Sequence, residues 1–337
     1  MNKPERRRST TILRYILLSS ALTAVVLFLT GCYKEDRTPD QGDDDKLEWR
    51  VGKNSYTLAI GDTVRQWILY VPARYSPDRP APLVLMLHGS SGTGEKFYRI
   101  SGWTAVADRV GCVVVFPTAL AYPIVSKQRR ITRWTEAELA DDLPPGYPIV
   151  DDVPFLRELI RRIVRSMHID TTRIYVSGFS NGGRFVANRL LPEMNDRFAA
   201  CAGWGIGFNA PTAIDGRIPP YFQIVGTDDQ RLKEGLMLDE SLPHHSLEAL
   251  LQYDALRERI QYMTTSLSLT DRYTEHPRLP AFNRIRWAEA RSANASEATL
   301  LLIDGLAHEY ANGRNNPHAI DAAEVLWRWF STHQLPQ

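Results

Sequence analysis

The sequence predicts an α/β domain: a doubly wound, mostly parallel sheet with helices on both faces. Three observations lead there. Strand-like apolar runs alternate with amphipathic helix-like runs along most of the chain, and strands separated by helices pair in parallel. Behind a non-globular start, about 290 residues remain, enough for one large core. Finally, Gly178, Ser180 and Gly182 form the pattern G-x-S-x-G between a β-branched run at 174–176 and a helix-like run at 184–191.

Taken in order, residues 66–71 and 83–87 read as strands, 103–109 as the core of a helix and 112–116 as the next strand. Residues 152–167 have helical periodicity, with Val153, Leu156, Ile160, Ile163 and Val164 on one face. Strands at 198–202, 221–225 and 299–303 follow the G-x-S-x-G helix. A closing helix at 319–330 carries Ala322, Val325, Leu326 and Trp329. Two segments interrupt the alternation. Residues 118–150 are rich in Pro and Gly and carry Trp134; residues 230–279 hold a helix-like stretch at 245–257 and many aromatics. Structureless segments this long are usually functional, so both are expected to wall a substrate site. No internal repeat and no second domain is visible.

The first 31 residues read as an export signal and not as part of the fold. Lys3, Arg6, Arg7, Arg8 and Arg14 form a basic start, and residues 16–29 an apolar stretch too short for a typical membrane span of about 20 residues. Leu29-Thr30-Gly31-Cys32 ends it and resembles a bacterial lipobox, which implies a lipidated Cys32 as the mature N-terminus. By resemblance to Gram-negative lipoproteins, the lack of Asp after Cys32 implies the outer membrane. Residues 32–46 are polar and acidic and read as a solvated tether, leaving 47–337 as the globular domain. Without the signal the chain has 35 basic against 38 acidic residues, which gives no electrostatic footprint for nucleic acid. Cys112 and Cys201 both lie in apolar runs and read as buried thiols, with a disulfide between them left open.

A serine between two such glycines, with a strand before it and a helix after it, occupies a nucleophile elbow. A hydroxyl is a weak nucleophile at its own pKa and needs a base, which in turn needs an orienting group. Both should stand after later strands, in the order Ser, acid, His. The acid is Asp228 or Asp229, directly after the strand at 221–225. The run Gly226-Thr227-Asp228-Asp229 resembles G-T-x-D, which favours Asp229. Of eight histidines only His308 stands directly after a strand and before the final helix, so it is the expected base. An oxyanion formed at Ser180 requires two N–H donors. They are expected from the backbone of Asn181 and from Ser90 in the run His88-Gly-Ser-Ser-Gly-Thr-Gly94, with His88 bracing that loop. Trp134 and Tyr310 are candidates to stack on a substrate ring, although core packing explains them equally well.

Five segments in this order resemble one family: His88-Gly-Ser-Ser-Gly, Gly102-Trp-Thr-Ala-Val-Ala-Asp108, Val150-Asp-Asp-Val-Pro-Phe155, Ile174-Tyr-Val-Ser-Gly-Phe-Ser-Asn-Gly-Gly183 and Gly226-Thr-Asp-Asp229. They are similar to the secreted polyhydroxybutyrate depolymerase and feruloyl esterase group of α/β-hydrolases, which includes acetyl xylan esterases. The resemblance runs from about Thr63 to the C-terminus. It implies an α/β-hydrolase fold and hydrolysis of small-molecule or polysaccharide-linked esters through an acyl-enzyme, without metal or cofactor. The chain departs from the family at Val225, where His is frequent, beside Trp134, where a cysteine is common, and in the length of the 230–279 segment. It shows no Ser/Thr-rich linker of the polymer-depolymerase kind, which moves the expectation from polyhydroxybutyrate toward feruloyl and acetyl esters. A prolyl-oligopeptidase-type peptidase and a catalytically silent binding lipoprotein remain as alternatives.

Overall fold

The computed structural model describes residues 46–336 apart from 206, 238–240, 244–245 and 277–281. The expected export signal, Cys32, the tether up to residue 45 and two of the histidines, His244 and His245, lie outside the described residues. The strands are β1 (Gly52–Ile60), β2 (Thr63–Val71), β3 (Ala81–Leu87), β4 (Val113–Pro117), β5 (Ala121–Ile124), β6 (Arg129–Thr132), β7 (Ile169–Gly178), β8 (Ala200–Trp204), β9 (Tyr221–Gly226), β10 (Thr274–Glu275), β11 (Phe282–Trp287) and β12 (Ala298–Ile303). Ten of them form one sheet in the order β1-β2-β4-β3-β7-β8-β9-β12-β11-β10. The central six, β4 to β12, are parallel, and the two strands at each edge run antiparallel. β5 and β6 form a separate hairpin.

Strand side chains alternate between the two faces, and the core divides accordingly. Leu83, Leu85, Leu87, Val113, Val115 and Val176 face one layer. There they meet α3 (Asp152–Ser166), through Phe155, Leu156 and Leu159, and α4 (Asn181–Phe185), through Phe185. Val84, Met86, Val114, Phe116 and Tyr175 face the other. They meet α1 (Gly94–Ile100), α2 (Trp103–Val110) and α9 (Ala322–Phe330) through Phe97, Trp103, Leu326 and Phe330. The remaining helices are α5 (Leu191–Glu193), α6 (Gln230–Leu236), α7 (Leu247–Leu250) and α8 (Asp254–Ser266). Between α4 and α5 the helix widens to a π turn over Val186–Leu190. Pro192 has no N–H to keep the i−4 ladder through that stretch.

The parallel centre lies where the apolar runs of the sequence place it, and the edges differ. β1 alternates exposed Ser55, Thr57 and Ala59 with buried or half-buried residues, and β11 carries Arg284 and Arg286 outward, so neither reads as an apolar run. The helix expected at 245–257 is instead two helices, the second reaching Ser266. Tyr262, Thr264 and Thr265 weaken its local propensity, and packing of Leu256 and Met263 supplies the difference.

Candidate active site

β7 ends at Gly178, and the chain turns through Phe179 and Ser180 into α4. Ser180 has φ 52° and ψ −120°, a conformation that costs a non-glycine residue about 1–3 kcal/mol. Three hydrogen bonds over-determine it: Phe179 N–H to the Leu87 carbonyl (3.0 Å), Gly182 N–H to the Phe179 carbonyl (2.8 Å) and Arg184 N–H to the Ser180 carbonyl (2.9 Å). The glycines are required by contact. A Cβ at Gly178 would collide with the backbone of Gly182 and Gly183, and one at Gly182 with the carbonyl oxygens of Leu87 and His88. The elbow is thereby pressed against the end of β3.

His308, on the loop after β12, places Nε2 3.0 Å from Ser180 Oγ and Nδ1 2.7 Å from Asp229 Oδ2. Asp229 follows β9 and is buried. Its other oxygen caps α6, accepting from the N–H of Arg231 (3.0 Å) and Leu232 (3.2 Å). Asp228 turns outward to Ser241 and Lys233, so the choice between the two acids is made by direction. Buried Thr227, which the sequence reading passed over, ties the two loops together. Its Oγ1 accepts from Gly305 N–H (2.8 Å) and its N–H donates to the Ile303 carbonyl (3.0 Å).

Ser90 and Asn181 both line the cleft above Ser180. Among the described residues neither backbone N–H has a protein acceptor, and Asn181 is the first residue of a helix, where such donors are free. Buried His88 braces the Ser90 loop. Its Nε2 accepts from Ala119 N–H (3.0 Å), which leaves the proton on Nδ1 to donate to the Gly89 carbonyl (2.7 Å). Burial pushes its pKa down to about 4, so it stays neutral. The Asn181 side chain accepts from Trp134 N–H (2.8 Å) and donates to Glu136 Oε1 (2.7 Å). Glu136 faces Arg184 (3.1 Å) and Arg133 (3.3 Å); burial raises its pKa, against the pull of Arg184 and Asn181.

Trp134 and Tyr310 are not available to stack on a substrate. Trp134 is fully buried, lies against Phe185 (5.6 Å between ring centroids) and donates its indole N–H to the His88 carbonyl (2.8 Å). Tyr310 is buried among Phe97, Phe179 and Trp204. Both support the site from below, where aromatic area is worth more in packing than at a wet rim. The Asp151-Asp152 pair also gains a structural meaning. Asp151 caps α3, while fully buried Asp152 pairs with Arg65 and accepts from Thr135 N–H (2.8 Å), anchoring the loop that carries Trp134 and Glu136. Cys112 and Cys201 are free, buried thiols.

The cleft has a volume of about 460 Å³. One wall comes from 124–142, including Ile124, Ile131 and Arg133; the other comes from the second long segment, with Arg231, Leu232, Ala255 and Arg259. A serine, a histidine and a buried carboxylate stand at the ends of β7, β12 and β9, beside two free N–H groups. Acyl transfer is the chemistry this arrangement can support.

The mostly parallel sheet, with a nucleophile elbow after β7, has the α/β-hydrolase fold. Residues 65–213 match the family described as esterase PHB depolymerase. The chain is 33% identical over 132 residues to a putative esterase NocK of Nocardia uniformis subsp. tsuyamanensis, covering 38% of this chain and 35% of the relative. It is 29% identical over 166 residues to a bifunctional acetylxylan esterase/xylanase of Neocallimastix patriciarum, covering 49% of this chain and 21% of the relative. It thus spans about a third or less of the length of these relatives. An acetyl xylan esterase from Aspergillus awamori shares the fold, with a TM-score of 0.55, 13% identity and coverage of 82% of this chain and 99% of that one.

Proposed function

We propose that the protein is a serine carboxylic-ester hydrolase working through an acyl-enzyme. The observation that carries this reading is His308 standing between Ser180 Oγ and Asp229 Oδ2 at 3.0 and 2.7 Å. His308 Nε2 takes the hydroxyl proton as Ser180 Oγ attacks the ester carbonyl. Asp229 accepts from Nδ1–H, which holds the ring in the tautomer that leaves Nε2 free. The N–H groups of Asn181 and Ser90 receive the developing oxyanion. Collapse expels the alcohol with the proton held by His308, and water, activated by the same imidazole, releases the acid and restores Ser180.

The esterases among its relatives support acetyl or feruloyl esters of plant polysaccharides, or their oligomers, as the substrate class. The Leu-Thr-Gly-Cys32 run supports export and lipid anchoring to the bacterial envelope. Hydrolysis of p-nitrophenyl acetate and methyl ferulate by the purified protein, beside Ser180→Ala, tests the chemistry. Activity that survives the substitution overturns it, and the ratio of the two substrates ranks acetyl against feruloyl groups. The anchoring is tested by fractionating cells that express the full chain or Cys32→Ala. Only the former is expected in the membrane fraction.

A further inference from the structure

The cleft around Ser180 is lined by six cationic side chains: Lys127, Arg129, Arg133, Arg184, Arg231 and Arg259. The acidic residues lining it are Glu136, Asp142 and Asp229, which leaves a surplus of three positive charges among the described lining residues. Those acids are already committed. Asp229 is held by His308, Glu136 by Asn181, Arg133 and Arg184, and Asp142 by Ser126 and Arg133. Glu138, just outside the lining, is paired with Arg184.

Among the described residues no carboxylate comes within ion-pair distance of Lys127 and Arg129, on the β5–β6 hairpin, or of Arg231, in the first turn of α6. Arg259, on α8, donates to neutral groups, the Phe208 carbonyl (2.9 Å) and Asn209 Oδ1 (2.6 Å). These four cations come from three elements far apart in sequence and converge on one mouth, in a chain whose formal charge is only +1. A cleft lined by one sign concentrates the opposite sign in its ligand.

We propose that the cleft is built for anionic esters, molecules bearing a carboxylate a few atoms from the reacting carbonyl. The carboxylate stands on the acyl group, as in a dicarboxylic half-ester, or on the alcohol, as in an acidic sugar. This rests on the esterase reading and deepens it. The cations lie at a solvated mouth, so they act on encounter and on KM, and salt weakens them.

The test uses two matched pairs and the whole protein. 4-Acetoxybenzoate against 4-acetoxybenzamide places the charge on the alcohol side; phenyl hydrogen glutarate against its monoamide places it on the acyl side. The anionic member of at least one pair is expected to have about tenfold the kcat/KM of its neutral partner, mainly through KM. That ratio should shrink toward one as ionic strength rises from about 0.01 M to about 1 M, where the screening length falls from about 30 Å to about 3 Å. It should also shrink in Arg129→Gln/Arg231→Gln. The pair that shows the ratio identifies which side carries the charge. Ratios of one or less in both pairs, with measurable turnover, overturn the inference and leave the esterase reading standing. A ratio that survives both salt and the double variant overturns it as well. If none of the four esters is cleaved, the esterase reading falls, and this inference with it.

Discussion

The floor of the cleft and its walls are built on opposite terms. The floor is backbone: Gly178 and Gly182 pressed against neighbouring carbonyls, Ser180 in a strained turn, and His88, Trp134 and Tyr310 buried beneath. The walls carry long charged side chains on a hairpin and on α6 and α8, many of them exposed, beside Ile124, Ile131, Leu232 and Ala255. The comparison shows that chemistry is fixed where the chain has no freedom, and selection of substrate is left where side chains change at little cost to the fold.

The largest effects should come from the floor. Ser180→Ala should lower turnover of p-nitrophenyl acetate on the order of a millionfold while leaving the melting transition in place. Next, Asp229→Asn should cost on the order of 10⁴ in kcat, because the amide can donate to His308 and favour the wrong tautomer. Asp228→Asn, at the outward-facing neighbour, should leave kcat within a small factor; equal losses would break the assignment. Under the floor, Arg65→Met leaves the buried Asp152 carboxylate unpaired and should destabilise the fold by about 3–5 kcal/mol in urea unfolding.

His88 sets an acid limit. Its folded pKa, about 4, lies below the ordinary 6.5, so the unfolded chain binds the proton first as pH falls. The stability this contributes is complete above about pH 6.5 and is lost between there and about pH 4, on the order of 3 kcal/mol. Urea unfolding of His88→Gln should show a shallower decline over that window; an unchanged slope would mean another group controls it. The smallest effect belongs to the wall. Arg129→Gln should shift stability by no more than about 0.5 kcal/mol, and a larger loss would mean the wall shares in the core.

How far the sequence can be read follows the same division. Ser180 and His308 were legible because each stands directly after an apolar run that forms a parallel central strand. Asp228 and Asp229 are adjacent and chemically identical, and only the turn that sends one inward to cap α6 separates them. For Trp134 and Tyr310 the sequence leaves substrate stacking and core packing equally open, because neither lies in a periodic segment that would reveal its burial. Glu136 and Thr227 were missed for a related reason: their partners, Asn181 and Gly305, are 45 and 78 residues away. β1 and β11 are not legible because antiparallel strands with a solvated face lack the continuous apolar runs of the centre.

Asp229 has one oxygen on each side of this division. Oδ2 serves His308, while Oδ1 starts the first helix of the second wall. A descendant of this protein could exchange most of that wall, in length or in charge, and keep its chemistry. The first turn after the carboxylate is the exception: a replacement that withdraws its two N–H groups frees the acid to rotate, and the histidine loses its orientation. Divergence of substrate in this chain therefore has a seam, one helical turn long, that new sequence must join without disturbing.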